Sequence, residues 1–244
     1  MNQDRIPVKK RTQSPIQTEI EETEAAQLLV KAQNVFEPTV LLTEYDLWNQ
    51  FNQLGTEMII TKQGRCLFPA LRFRFLNLKP TGMYRIGIDF ELVGGKKKFK
   101  QGKGWESVPS DERGLLRGHT WFPNEWQSGN ELIKSGTSFQ QLKLTNRSVD
   151  SPGMFTVSSF HMYRPRLHIL EKGESILHYV FTFKQCDFVA VTHYQNDFVN
   201  SLKKSSNPHA KGFKDVEFHL EEYLKHAEEG DLVIKEIVRI EDKF

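Results

Sequence analysis

The chain has 244 residues, 38% of them hydrophobic and 26% charged, with a formal net charge of +2 and a mean hydropathy of -0.52. That length suits one large β-domain with tails or two small domains, and no apolar run approaches a membrane span. Two cysteines, Cys66 and Cys186, are too few for a disulfide framework or a four-cysteine zinc site, and both read as reduced thiols.

Residues 1–40 carry five Lys/Arg against six Asp/Glu. They are rich in Gln, Thr, Glu and Pro, have little apolar periodicity, and are expected to form a disordered tail. The opening residues lack the apolar core of a secretory signal, so an intracellular protein is expected. The short basic cluster Val8 to Arg11 fits either a nuclear-import signal or a plain solvated charge run.

At Thr43 the spacing predicts a helix start. Thr43 is a capping residue, Asp46 stands three residues on, and Leu47, Phe51 and Leu54 form an apolar stripe that Gly55 terminates. Between Gly55 and His193 the period is mostly two. Leu71, Phe73 and Phe75 alternate with Arg72 and Arg74. Tyr84, Ile86, Ile88, Phe90 and Leu92 alternate over a second segment, and Leu177, Tyr179, Phe181 and Phe183 over a third.

Turn residues at Asn77 to Pro80, Gly94-Gly95, Ser151-Pro152-Gly153 and Lys172-Gly173 divide these strands. Many short strands at such spacing predict a sandwich or barrel. Gln101 to Gly136, with Trp105, Trp121 and Trp126, has no sustained period and reads as loop. After Tyr194 the pattern turns helical, with Phe198 and Leu202 four apart, until Asn207-Pro208 breaks it before a turn around Ala210 to Phe213. Val216, Leu220, Tyr223, Leu224 and Ala227 then predict an amphipathic helix ending near Gly230, and a short apolar segment, Leu232 to Ile240, follows.

Charge is distributed unevenly. Residues 214–244 carry five basic and ten acidic groups, which leaves 23 basic and 15 acidic in residues 41–213, a net of +8. A basic middle between neutral and acidic tails suits a polyanion-binding domain. Enzymatic chemistry is not expected. The eight histidines have no metal-ligand spacing, His161 near Ser158 and Ser159 sits at strand spacing, and no nucleophile elbow, P-loop or dinucleotide glycines occur with the required flanks. No metal, cofactor or small-molecule substrate is expected.

Six blocks carry a resemblance: LWNQFNQLGTEMIITKQGR (Leu47 to Arg65), LFPALRFRFLNLKP (Leu67 to Pro80), SFQQLKLTNR (Ser138 to Arg147), SSFHMYRPRLHIL (Ser158 to Leu170), FVAVTHYQN (Phe188 to Asn196) and LKKSSNPHAKGF (Leu202 to Phe213). In this order they resemble the DNA-binding domain of the T-box transcription factors. The resemblance implies a mainly β fold, an immunoglobulin-like β-sandwich or barrel of the Rel-like DNA-binding type with short C-terminal DNA-binding helices. It implies the DNA-binding domain over 41–214, between the disordered tail expected over 1–40 and the acidic segment with its amphipathic helix expected over 215–244.

The implied function is a sequence-specific, double-stranded-DNA-binding transcription factor. It would recognise a GGTGTGA-like element, regulate RNA polymerase II transcription in the nucleus as a developmental protein, and meet co-regulators through its tails, with no membrane partner. Arg65, after Gly64, stands where the family reads a guanine in the major groove, and a guanidinium fork matches the O6 and N7 acceptors. Arg72, Lys143, Asn146 and Arg166 match positions expected to contact phosphate. Asn196, Asn200, Lys203 and Asn207 belong to a second grip on the backbone. His209, Lys211, Phe213 and Lys214 fall in the segment that enters the minor groove.

The chain departs from the family at three places. His209 replaces the first minor-groove phenylalanine, Cys66 replaces an arginine, and the Trp105 to Gly136 region poorly matches the family's proline-rich, dimer-contacting segment, so no dimer contact is expected from it. Asn200 stands where the family commonly has a threonine. His209, Cys66 and the acidic C-terminal helix suggest the other reading, a T-box-fold protein-interaction module with weak or non-specific DNA binding. The basic strand Lys96 to Lys100 fits phosphate contacts or a solvated face equally. Residues 214–244 are expected to be dispensable for the fold and to restrain DNA binding by like charge.

Overall fold

The computed structural model describes residues 37–109, 114–118, 120–123 and 125–206, together with the backbone of 234–239. The predicted N-terminal tail up to residue 36 and the acidic amphipathic helix lie outside the described residues.

Period-two alternation is realised as three sheets around one core. In the first, β1 (Thr39–Leu42), β4 (Arg72–Leu76) and β9 (Thr137–Ser138) pair in the order β1-β4-β9. Phe73 and Phe75 are buried there while Arg72 and Arg74 stand on the wetter face. The second is small, with β3 (Arg65–Cys66), β10 (Lys143–Thr145), β11 (Met154–Val157) and β7 (Leu116–Arg117) in the order β3-β10-β11-β7.

The third and largest sheet is centred on β12 (His161–Lys172). On one side β12 pairs with β14 (Phe188–Val191) and β13 (Leu177–Thr182), and on the other with the long β5 (Met83–Lys100). β2 (Glu57–Ile59) adds parallel to β14. β5 also carries β6 (Gly104–Ser107) and β8 (Gln127–Ser128). The fold is mainly β, an immunoglobulin-like sandwich.

The inward faces meet in one aromatic cluster. Phe90 makes edge-to-face contacts with Phe155 at 4.9 Å and Phe188 at 5.8 Å, and Trp48 is fully buried. Each such ring contributes about 1.5–3 kcal/mol by leaving water, so the strands bearing them are fixed relative to one another.

Several local expectations are corrected. The helix α1 spans Tyr45–Leu54 with Glu44 at its N-cap, and Thr43 does not cap it. The Thr43 amide instead donates to the Arg72 carbonyl at 2.9 Å, because Thr43 still continues β1 along β4. Gly55 ends the helix in the left-handed conformation, as the sequence predicts. Gly94-Gly95 is no turn between strands. The β5–β12 register jumps between Tyr163↔Leu92 and His161↔Lys96, so the glycines form a bulge, with Gly94 at φ +76°.

The supposed loop Gln101 to Gly136 holds β6, β7, β8 and a helix α2 (Gly129–Ser135), which opens on a complete capping box between Ser128 and Glu131. Helix α3 (Asp197–Ser205) forms where expected, but it buries Val199 rather than the Phe198–Leu202 pair, and Phe198 is 72% exposed. The final apolar segment forms β15 (Ile234–Arg239), whose backbone pairs antiparallel with β13 at the sheet edge.

Candidate nucleic-acid interface

A tight turn positions the first cationic group. The Gly64 amide donates to the Thr61 carbonyl at 3.1 Å, and Gly64 sits at φ +81°. A β-carbon there would lie 3.2 Å from the Lys143 Cβ and 3.0 Å from the Met154 Cε, so glycine is required by backbone conformation and by space. The turn lies on the loop after β10. The Thr145 hydroxyl donates to the Lys62 carbonyl at 3.3 Å and accepts from the Arg147 amide at 3.1 Å. Arg65 then enters the small sheet opposite Leu144, beside Cys66 opposite Lys143.

Arg65 and Lys143 are exposed, as are Asn146, Arg147 and Lys62. Lys62, Asn146 and Arg147 line a shallow cleft of about 400 Å³. Arg117, at the far strand of this sheet, donates to the Ser148 hydroxyl at 3.3 Å. Among the described residues, no carboxylate lies within ion-pair distance of Arg65, Lys143, Lys62 or Arg147. A surface of uncompensated cations suits an anionic partner.

The start of helix α3 is anchored to β2 by a buried carboxylate. Glu57, 2% exposed, accepts from the backbone amides of Gln195 at 2.7 Å and Asn196 at 3.0 Å. Burial pushes Glu57 up to about 7 despite those hydrogen bonds. The Asn196 side chain caps α3, accepting from the Phe198 amide at 3.0 Å and donating to the Leu54 carbonyl at 2.8 Å.

Further along α3, Lys203 lies over the rings of Phe68 at 5.3 Å and Tyr194 at 5.6 Å. Burial first, and then the charge of Arg65, lowers Lys203 to about 8. The turn and the helix therefore bring Arg65 and Lys203 into one electrostatic neighbourhood, although 138 positions separate them in the chain.

The remaining expected residues divide by what holds them. Arg72 is ion-paired with Glu44 at 3.1 Å and donates to the Gln140 amide oxygen at 3.4 Å. Arg166 is clamped bidentately by Asp89, at 2.7 and 2.8 Å, in the large sheet. Asn196 is occupied as a cap at both ends of its amide. Asn200 is half-buried in the first half of α3. Asn207, His209, Lys211, Phe213 and Lys214 lie outside the described residues.

Lys62, Arg147 and Arg117 join this surface without a sequence motif that singles them out. Lys62 two residues before Gly64, and Arg147 directly after Asn146, are the available signals for two of them. Among the described residues no group of His, Cys, Asp and Glu is placed to hold a metal ion, and no helix is long and apolar enough to cross a membrane.

Comparison with known proteins follows the same outline. The family model described as T-box matches residues 40–215. The T-box transcription factor mls-1 of Caenorhabditis elegans is 40% identical over 184 residues, covering 73% of this chain and 71% of the worm protein. The T-box protein VegT of Xenopus tropicalis is 37% identical over 182 residues, 72% of this chain and 40% of the frog protein. The T-box transcription factor TBX21 of Mus musculus is 40% identical over 191 residues, 72% of this chain and 36% of the mouse protein. The chain thus spans less than half the length of the frog and mouse proteins.

Proposed function

This chain belongs to the T-box family, and from that premise we propose that it is a sequence-specific double-stranded-DNA-binding regulator of transcription. It recognises a GGTGTGA-like element and acts in the nucleus on RNA polymerase II transcription, with co-regulators recruited through its tails. The observation that carries this reading is the Arg65 surface, where uncompensated cations stand beside the half-buried ammonium of Lys203.

Arg65 reads a guanine through its O6 and N7 atoms, where a guanidinium fork matches two acceptors. Lys143, Asn146, Lys62 and Arg147 take phosphate oxygens on the same side and fix register without reading sequence. Lys203 and Asn200 form the second grip, and the segment from Asn207 to Lys214 supplies the minor-groove contact. Arg72 joins only by exchanging Glu44 for a phosphate. Arg166 and Asn196 serve the fold rather than the DNA, because Asp89 and the α3 cap already occupy their donors.

The test is a titration of the full chain against a duplex containing the element and against one with its GTG core changed. Nanomolar binding that the core change abolishes is expected. Binding that is salt-sensitive but indifferent to the core would overturn specific recognition in favour of an interaction module.

A further inference from the structure

We propose that the β5–β6 hairpin is an accessory arm that grips the phosphate backbone of duplex DNA flanking the recognition element. The proposal rests on the DNA-binding reading above and extends the footprint of the same interface. From Lys96 to Ser107 the hairpin carries five lysines, Lys96, Lys97, Lys98, Lys100 and Lys103, against the single acid Glu106.

Strand register separates this charge from the aromatic residues. Phe99 faces Trp105 and Lys97 faces Ser107 across one side, while Lys98 faces Glu106 and Lys100 faces Gly104 across the other. The aromatic side is docked. Trp105 packs on Phe99 at 5.5 Å and on Phe160 at 6.3 Å, and a β-carbon on Gly55 would come within 2.8 Å of its Cδ1. The other side is wet, with Lys98, Lys100 and Lys103 exposed.

Lys100 is paired with Glu106 at 2.5 Å, and the Lys97 ammonium donates to the Ser107 hydroxyl at 2.8 Å. Lys98 and Lys103 have no carboxylate within ion-pair distance among the described residues. The base of the hairpin is tied down, since the Lys97 amide donates to the Phe160 carbonyl at 2.7 Å and the Val108 amide to the Lys96 carbonyl at 3.0 Å. A rooted hairpin presents its ammonium groups with less chain entropy to lose on binding than a free basic tail.

Position links the arm to the site. Trp105 rests on Gly55, directly after Leu54, whose carbonyl holds the Asn196 cap of α3. The hairpin therefore stands by the start of α3, while Arg65 stands by Lys203 in its second half. Nine helical residues span only about 13 Å, less than half of one turn of duplex, about 34 Å. A duplex held between Arg65 and α3 has its flank within reach of the arm.

Partner class follows from what the wet side lacks. Protein interfaces are anchored by aromatic residues and depleted in lysine, and single strands need exposed rings for stacking. This hairpin turns its rings inward and offers lysines alone, which suits the phosphates of a duplex.

The test compares the full chain with its Lys98→Gln, Lys103→Gln double variant on two duplexes. One ends at the edges of the element, and the other continues one helical turn beyond it on each side. On the long duplex the variant is expected to bind several-fold more weakly at low salt. The slope of log K against log salt should be shallower by about 2, since each phosphate that a lysine no longer neutralises removes about 0.9 from it.

On the short duplex, and in thermal unfolding, the variant should match the wild type. An unchanged slope on the long duplex overturns the arm, as does an equal loss on both duplexes. Tighter wild-type binding to single-stranded RNA than to duplex, abolished in the variant, assigns the lysines to RNA instead. Failure of the DNA-binding reading itself would show separately, as a wild type that does not distinguish the element from its changed core.

Discussion

Two sets of arginines on this domain illustrate how placement decides what the same side chain does. Arg65 rises from a glycine turn, and among the described residues no carboxylate lies within ion-pair distance of it. Arg164 and Arg166, on β12, point into acid: Arg164 is bidentate to Asp187 at 2.7 Å for both bonds and reaches Glu91 at 3.5 Å, and Arg166 is bidentate to Asp89. In the large sheet the guanidinium groups neutralise carboxylates that are buried, as at Asp89, or half-buried, as at Asp187. On the small sheet the cation has been left uncompensated. A basic residue in a DNA-binding protein is thus informative only once its neighbours are known.

The largest effect that separates the two sets is on stability. Burial alone would raise Asp89, but the hydrogen bonds and charges of His168 and Arg166 outweigh it and hold the carboxyl below its ordinary value. Arg166→Ala removes the bidentate partner and leaves that carboxylate with the His168 Nε2 at 3.1 Å and the Thr120 hydroxyl at 3.2 Å. A cost of about 2–3 kcal/mol is expected, below the range for a fully buried pair because the arginine is partly solvated. The contribution is present at neutral pH and lost as pH falls through the lowered value of Asp89. Denaturant titration measures it, while the folded variant should bind the specific duplex as wild type does. A matching loss of DNA affinity would return Arg166 to the interface.

Arg65→Ala should give the opposite pattern. Specific affinity falls by about 1–3 kcal/mol, with discrimination at one guanine weakened, because a bidentate hydrogen bond to the base disappears. Denaturant stability should be unchanged. Equal losses on specific and random duplexes would make Arg65 a phosphate contact. Gly64→Ala is the next smaller perturbation. Forcing a β-carbon into the left-handed conformation against Lys143 costs about 1–2 kcal/mol, so this variant should lose some stability and some specific affinity together.

How much of this was legible in the sequence depended on the range of the signal. The strands around Phe73, Ile88 and Phe181 are local alternations, and the structure buries those apolar faces as the alternation requires except at Leu92, which is 37% exposed. The Ser128–Glu131 capping box was equally local, but short elements among glycines and tryptophans hid it. Gly94-Gly95 read as a turn because apolar alternation stops at Leu92. The strand continues beyond the bulge with β6 as its partner, so charged side chains replace apolar ones there.

The fate of individual cations was illegible for a different reason. Asp89 lies 77 positions from Arg166, and Glu44 lies 28 before Arg72. Neither pairing leaves any periodic trace. The same holds for Glu57, which accepts from the Asn196 amide across 139 positions, beside the cap that the Asn196 side chain makes on α3.

The smallest expected effect sharpens the comparison within the interface itself, at Lys203. Its ammonium is held near 8 by burial over Phe68 and Tyr194 and by the nearby charge of Arg65. A phosphate drawn against it favours the charged form, so the value rises in the complex. Affinity is then complete below about 8 and falls as pH rises from 8 to 9, by less than the tenfold per pH unit that loss of one proton allows. Stability moves the other way. A lysine whose folded value lies below its unfolded one leaves the unfolded chain holding more protons above pH 8, so folding strengthens with pH over the same window. Glu57, at about 7, has largely finished titrating there and does not obscure the trend. Paired titrations of DNA affinity and denaturant stability between pH 8 and 9 should therefore diverge in the wild type. In Lys203→Arg the pH-dependent fall in affinity should vanish, because a guanidinium stays charged throughout. Affinity and stability falling together in the wild type would show that pH acts on the fold, and Lys203 would lose its place at the phosphate.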